Sequence, residues 1–81
     1  MNERKLLDAL SEFFGCHIKK DHDMSTLERW DSFKHLELMM MLEQEYGIDV
    51  DEKTILQAAS VLGIKELLME RRLWQANSVT G

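Results

Sequence analysis

Proline is missing from this 81-residue chain, and Cys16 is its one cysteine. Without proline, no helix is forced to kink or stop for want of an amide donor. One thiol cannot close an intramolecular disulfide, so a reducing compartment, the cytoplasm, is the expected setting. No run approaches the roughly 20 apolar residues needed to cross a bilayer, and the opening Met1-Asn2-Glu3-Arg4-Lys5 is not a signal-peptide start. Basic residues are scarce as well: ten Lys and Arg against fifteen Asp and Glu leave a formal net charge of −5. That balance argues against binding nucleic-acid phosphates and favours basic protein partners. A domain near the lower size limit for a self-sufficient core has little room for a buried active site, so an enzyme is not expected.

What is present favours helices, because leucine, methionine and glutamate fill the periodic stretches. Leu6, Leu7, Leu10, Phe13 and Phe14 make one apolar face over residues 3–14, and Gly15 is a natural stop. Residues 16–30 have no sustained period and read as a long loop pinned by Ile18, Met24, Leu27 and Trp30, with a short helical turn expected around 26–29. A second helix is expected from Ser32, capped by Asp31, to Tyr46 before Gly47. Ile48 and Val50 are expected to pack after it. A brief third helix is expected over 52–57 with Asp51 as cap, and a last one from Ser60 to about Arg72 with Val61, Ile64, Leu67 and Leu68 inward. Residues 1–74 are expected to form the single domain and 75–81 a flexible polar tail.

The second helix carries too many apolar residues for one buried stripe. Leu38, Met39, Leu42 and Tyr46 make an inward face, whereas Phe33, Leu36 and Met40 form a second stripe rotated away from it. That stripe begins beside Ser32 and is flanked by Glu37 and Glu43, an apolar centre with a charged rim. Residues 31–52 hold seven acidic side chains against Lys34 alone, so most of the negative field lies downstream of Ser32.

Asp31-Ser32-Phe33, Leu36-Glu37-Leu38, Leu42-Glu43, the Tyr46-Gly47-Ile48 exit and Ser60-Val61 together resemble the acyl carrier protein family. There the attachment motif is usually Asp-Ser-Leu. The resemblance runs from about Leu6 to Leu68 and implies an all-α four-helix bundle with one short helix. It implies that a phosphopantetheinyl transferase attaches 4′-phosphopantetheine from coenzyme A to Ser32, next to Asp31, and that the terminal thiol carries acyl or aminoacyl groups as thioesters. A phosphodiester there would meet the positive end of the helix dipole. By the same resemblance Asp31, Glu37, Glu43 and Glu52 would meet basic patches on acyl-loading, acyl-transfer or condensing enzymes, with Phe33, Leu36 and Met40 as apolar contacts. The carrier would act as a monomer without inserting into membranes. Phe33 for leucine, Lys34 where primary fatty-acid carriers have an acid, and the preceding Trp30 point to a specialised pathway: a secondary metabolite, a modified lipid or a polysaccharide decoration. The Asp-Ser-Phe form is also similar to D-alanyl carrier proteins, so an aminoacyl cargo is the close alternative.

Other readings stand beside these. Ser32 could be an ordinary first-turn residue, and the chain an unmodified helical module that binds a basic partner. A hydrolytic serine lacks Gly-x-Ser-x-Gly, and Asp31 cannot serve as its partner, since neighbouring helical residues point about 100° apart. Cys16, His17, His22 and His35 match no zinc spacing, so no metal is expected, and His17 and His22 read as solvated loop residues. Met39-Met40-Met41 reads first as packing material, with shelter for an acyl chain as the functional alternative.

Overall fold

The computed structural model describes residues 1–74. Four helices follow one another: α1 (Glu3–Phe14), α2 (Ser32–Tyr46), α3 (Glu52–Gln57) and α4 (Val61–Glu70). The class is all-α. Among the described residues the nearest approach to a sheet is one isolated bridge between Asp23 and Ser60.

Each helix starts on a side chain that takes an otherwise unpaired amide, and at Asp31, Asp51 and Ser60 that chemistry is why the starts were legible. Asn2 accepts from the amide of Lys5, Asp31 from Lys34, Asp51 from Thr54 and Ser60 from Gly63. At Asp51 the bond is reciprocated, since the Thr54 hydroxyl accepts from the Asp51 amide, closing a capping box. α1 and α2 end on Gly15 and Gly47, whose φ of 72° and 67° lie in the left-handed region where a Cβ is penalised. α4 stops at Glu70, two residues before the expected Arg72. There the Arg72 amide donates to Met69 and the Leu73 amide to Leu68, a Schellman turn that brings Leu73 back against the core. Arg72 occupies its left-handed position at φ 60°.

The core gathers Leu6, Leu10 and Phe14 of α1, Leu38, Met39 and Leu42 of α2, and Val61, Ile64, Leu67 and Leu68 of α4 around Ile18, Trp30 and Ile48. Trp30 is 1% exposed. A side chain of its size removes on the order of 200 Å² from water, a gross gain of about 5 kcal/mol at 25 cal/mol per Å². It therefore anchors the end of the long loop. Val50, expected to pack, is exposed, because Ile48 alone turns inward before Asp51 caps α3.

The loop is ordered by polar contacts that periodicity does not reveal. The Met24 amide donates to the Ala59 carbonyl and the Val61 amide to the His22 carbonyl, tying the loop to the α3–α4 junction. The Lys19 amide donates to His22 Nδ1 at 2.9 Å, so half-buried His22 is a loop strut, not the solvated residue expected, whereas His17 is exposed. Asp23 accepts from Ser25 and Thr26, and the Leu27 amide closes a turn onto the Asp23 carbonyl. The hydrogen-bonded turns span Asp23–Leu27 and Leu27–Trp30, in place of the one helical turn expected at 26–29. The Arg29 guanidinium caps the C-terminal end of α1 through the Phe14 carbonyl at 3.4 Å. The polar tail expected at 75–81 lies outside the described residues.

Candidate functional site

Ser32 is the first residue of α2 and is exposed. Its neighbour supplies the cap: Asp31 is extended, and one carboxylate oxygen accepts the Lys34 amide at 2.8 Å. The His35 amide bonds to the Asp31 carbonyl. The amides of Ser32 and Phe33, at the helix start, have no intrahelical acceptor. A phosphoester oxygen on Ser32 is the kind of acceptor such amides and the helix dipole favour. A shallow groove of about 490 Å³ opens beside the serine, lined by Met24, Leu27, Glu28, Trp30 and Asp31.

Below the serine the chain rests on packed and hydrogen-bonded side chains. The Trp30 and Phe14 rings lie 5.0 Å apart, and the Trp30 indole N–H donates to His35 Nδ1 at 3.0 Å. His35 is 5% exposed, and its Nε2 lies 2.8 Å from the Ile55 carbonyl of α3. An indole can only donate, so Nδ1 accepts and Nε2 carries the proton. With both ring nitrogens engaged, His35 has none left to activate Ser32 as a nucleophile. Among the described residues no three His, Cys, Asp or Glu side chains gather as a metal site. Cys16 is half-buried against the core edge as a free thiol.

Along α2, Phe33, Leu36 and Met40 are 72%, 56% and 58% exposed, so the second stripe does face solvent. Its rim is less uniformly negative than the count of acids implied. Lys34 Nζ lies 3.4 Å from Glu37 and 4.4 Å over the Phe13 ring, so Glu37 is partly engaged within the molecule. Glu43 on α2 and Glu52 at the start of α3 are exposed. Asp31, Ser32, Phe33, Leu36, Glu37, Met40 and Glu43 thus share α2 and its cap, while Glu52 belongs to a different helix. The Asp51 carboxyl that caps α3 is held below its ordinary range, first by the Thr54 amide and also by the Thr54 hydroxyl, the Lys53 amide and the charge of Arg71.

His35 is a buried residue that sequence reasoning missed, having weighed it only as a possible metal ligand and set that reading aside. Its signal was present: it lies three and four residues before Leu38 and Met39, on the inward face of α2. Leu56, 70% exposed on α3, was also passed over, and no periodic pattern over so short a helix marks it.

Ser32 thus opens α2 on a packed bundle, with an apolar and acidic flank beside it. The chain belongs to the family described as the phosphopantetheine attachment site, whose pattern it matches over residues 4–68. Its prosthetic group is accordingly 4′-phosphopantetheine, covalently held, and its task is to carry intermediates for modifying and biosynthetic enzymes, not to convert them. Comparisons with curated proteins and with solved structures returned no match.

Proposed function

We propose that Ser32 is the attachment residue and that the chain carries acyl intermediates as thioesters for a specialised biosynthetic pathway. The observation that carries this reading is the exposed hydroxyl at the first position of α2, next to an Asp31 cap and two amides free to meet a phosphoester, in a chain of the phosphopantetheine family. Once bound, the arm supplies a thiol on a long flexible tether. The protein's own residues supply the address. Phe33, Leu36 and Met40 offer an apolar stripe, and Asp31, Glu37, Glu43 and Glu52 offer charge to basic patches on the transferase and on loading or condensing enzymes. Exposed ion pairs contribute about 0–1 kcal/mol each, which suits a partner that must leave after each transfer.

The departure at Lys34 supports a specialised role over primary fatty-acid synthesis. Its ammonium sits 3.4 Å from Glu37, so the field directly after the serine is weaker than a run of acids would make it. The test is intact-protein mass after incubation with coenzyme A and a broad-specificity phosphopantetheinyl transferase, then loading by acyl- and aminoacyl-adenylating ligases. Gain of the arm on wild type but not on Ser32→Ala supports the attachment site. Loading by an amino-acid ligase alone would replace the acyl reading with a D-alanyl-type one.

A further inference from the structure

We infer that His35 is a positioning residue for recognition of the carrier: it holds α3 at a fixed place relative to Ser32. The inference rests on the reading of Ser32 as the attachment residue. α3 has only six residues, so most of its carbonyls lie beyond its own hydrogen-bonding pattern. The Thr54 carbonyl is taken by the Ala58 amide and the Leu56 carbonyl by the Ala59 amide. The Ile55 carbonyl is taken by His35 Nε2, twenty residues away in the chain and one turn into α2 from Ser32. A helix this short has little stability of its own. Its position depends on such outside bonds.

Trp30 determines that this bond can form. Its indole N–H, 1% exposed with the rest of the side chain, faces Nδ1 and leaves the proton on Nε2, the nitrogen that meets Ile55. Loop, attachment helix and α3 are therefore joined through one imidazole within five residues of the serine. An enzyme that reads Ser32 and the exposed Glu52 and Leu56 of α3 together meets a preformed surface, and does not have to order α3 on binding.

Substitutions separate the two bonds. His35→Asn places an acceptor near Nδ1 but is too short to reach Ile55. His35→Gln can present an amide N–H to Ile55. Trp30→Phe keeps the aromatic contact with Phe14 and removes the indole donor. Steady-state transfer from coenzyme A gives KM and kcat for each, and ¹H–¹⁵N spectra of the unmodified protein report the Trp30 indole and the amides of residues 55–59. His35→Asn is expected to raise the KM for the carrier on the order of tenfold with kcat within about twofold, because docking and not chemistry is affected. The amides of α3 should shift or broaden, and His35→Gln should recover most of the KM.

Unchanged KM in folded His35→Asn, or a fall in kcat alone, would overturn the inference. So would α3 amides that stay put in His35→Asn. If wild type itself takes no arm, the reading of Ser32 has failed, and the spectra still decide whether His35 holds α3. If His35→Asn does not fold, Trp30→Phe decides by the same two readouts: a raised KM and shifted α3 amides support the inference, and wild-type values overturn it.

Discussion

Replacing Gly63 by alanine probes how closely α3 and α4 are set. Gly63 is buried in the first turn of α4, and its amide donates to the Ser60 hydroxyl at 2.9 Å. A Cβ there would lie 1.8 Å from the Gln57 carbonyl oxygen, 3.0 Å from its carbon and 3.0 Å from Ser60 Oγ. Carbon and oxygen in contact need about 3.3 Å, so α3 would have to retreat by roughly 1.5 Å. The obstacle is backbone and cannot rotate away. In an open helix the change would stabilise by about 1 kcal/mol through propensity. Here, overpacking costs about 1–3 kcal/mol, and retreat also weakens the Ser60 cap and the His35–Ile55 bond, each about 1 kcal/mol. The expected net loss is about 2–4 kcal/mol, or roughly 10–25 °C in Tm for a domain of this size. Thermal and urea melts followed by circular dichroism measure it, with Leu62→Ala, exposed one residue earlier, as a near-neutral control. A Gly63→Ala protein as stable as wild type would refute the close packing of α3 on α4.

Three further outcomes are expected. Phe33→Ser should leave the melting temperature within what about 0.5 kcal/mol allows, since the ring is 72% exposed, yet it should raise the transferase KM several-fold; an unchanged KM would remove Phe33 from the docking stripe. Asp23 is held below the ordinary carboxylate range mainly by the Ser25 hydroxyl, and Asp51 mainly by the Thr54 amide. Depressed folded values mean that their stabilisation is present above the unfolded carboxylate value and is lost as pH falls through the folded ones. Urea midpoints should therefore drop in acid below about pH 4, less steeply in Asp51→Asn; parallel acid profiles would contradict this. Arg72→Gly should raise stability by about 0.5–1 kcal/mol, because glycine suits φ 60° in the turn after α4; a lower urea midpoint would mean the arginine side chain contributes more than the backbone relief.

Helix starts and two of the stops were legible because they are local chemistry: Asp31, Asp51 and Ser60 each sit beside the amide they accept, and Gly15 and Gly47 tolerate the left-handed turn. The exposed stripe of α2 was legible from spacing alone, because one helix in a small bundle cannot bury two faces. The ordering of the loop was not, because His22 and Met24 are fixed by backbone partners at Val61 and Ala59, far along the chain. The end of α4 was missed for a related reason: Leu73 is drawn back to the core, and a favourable dipole position for Arg71 and Arg72 says nothing of that pull. His35 was weighed only beside Cys16, His17 and His22 as a metal ligand, because its partners Trp30 and Ile55 come from the loop and from α3.

The most direct test of the central claim is the mass of the intact folded protein after treatment with coenzyme A and a phosphopantetheinyl transferase. The account predicts a gain equal to one phosphopantetheine, mapped by fragmentation to Ser32 and absent from Ser32→Ala. No gain with several transferases, or a gain that persists in Ser32→Ala, would contradict the assignment of Ser32 as the residue that bears the arm.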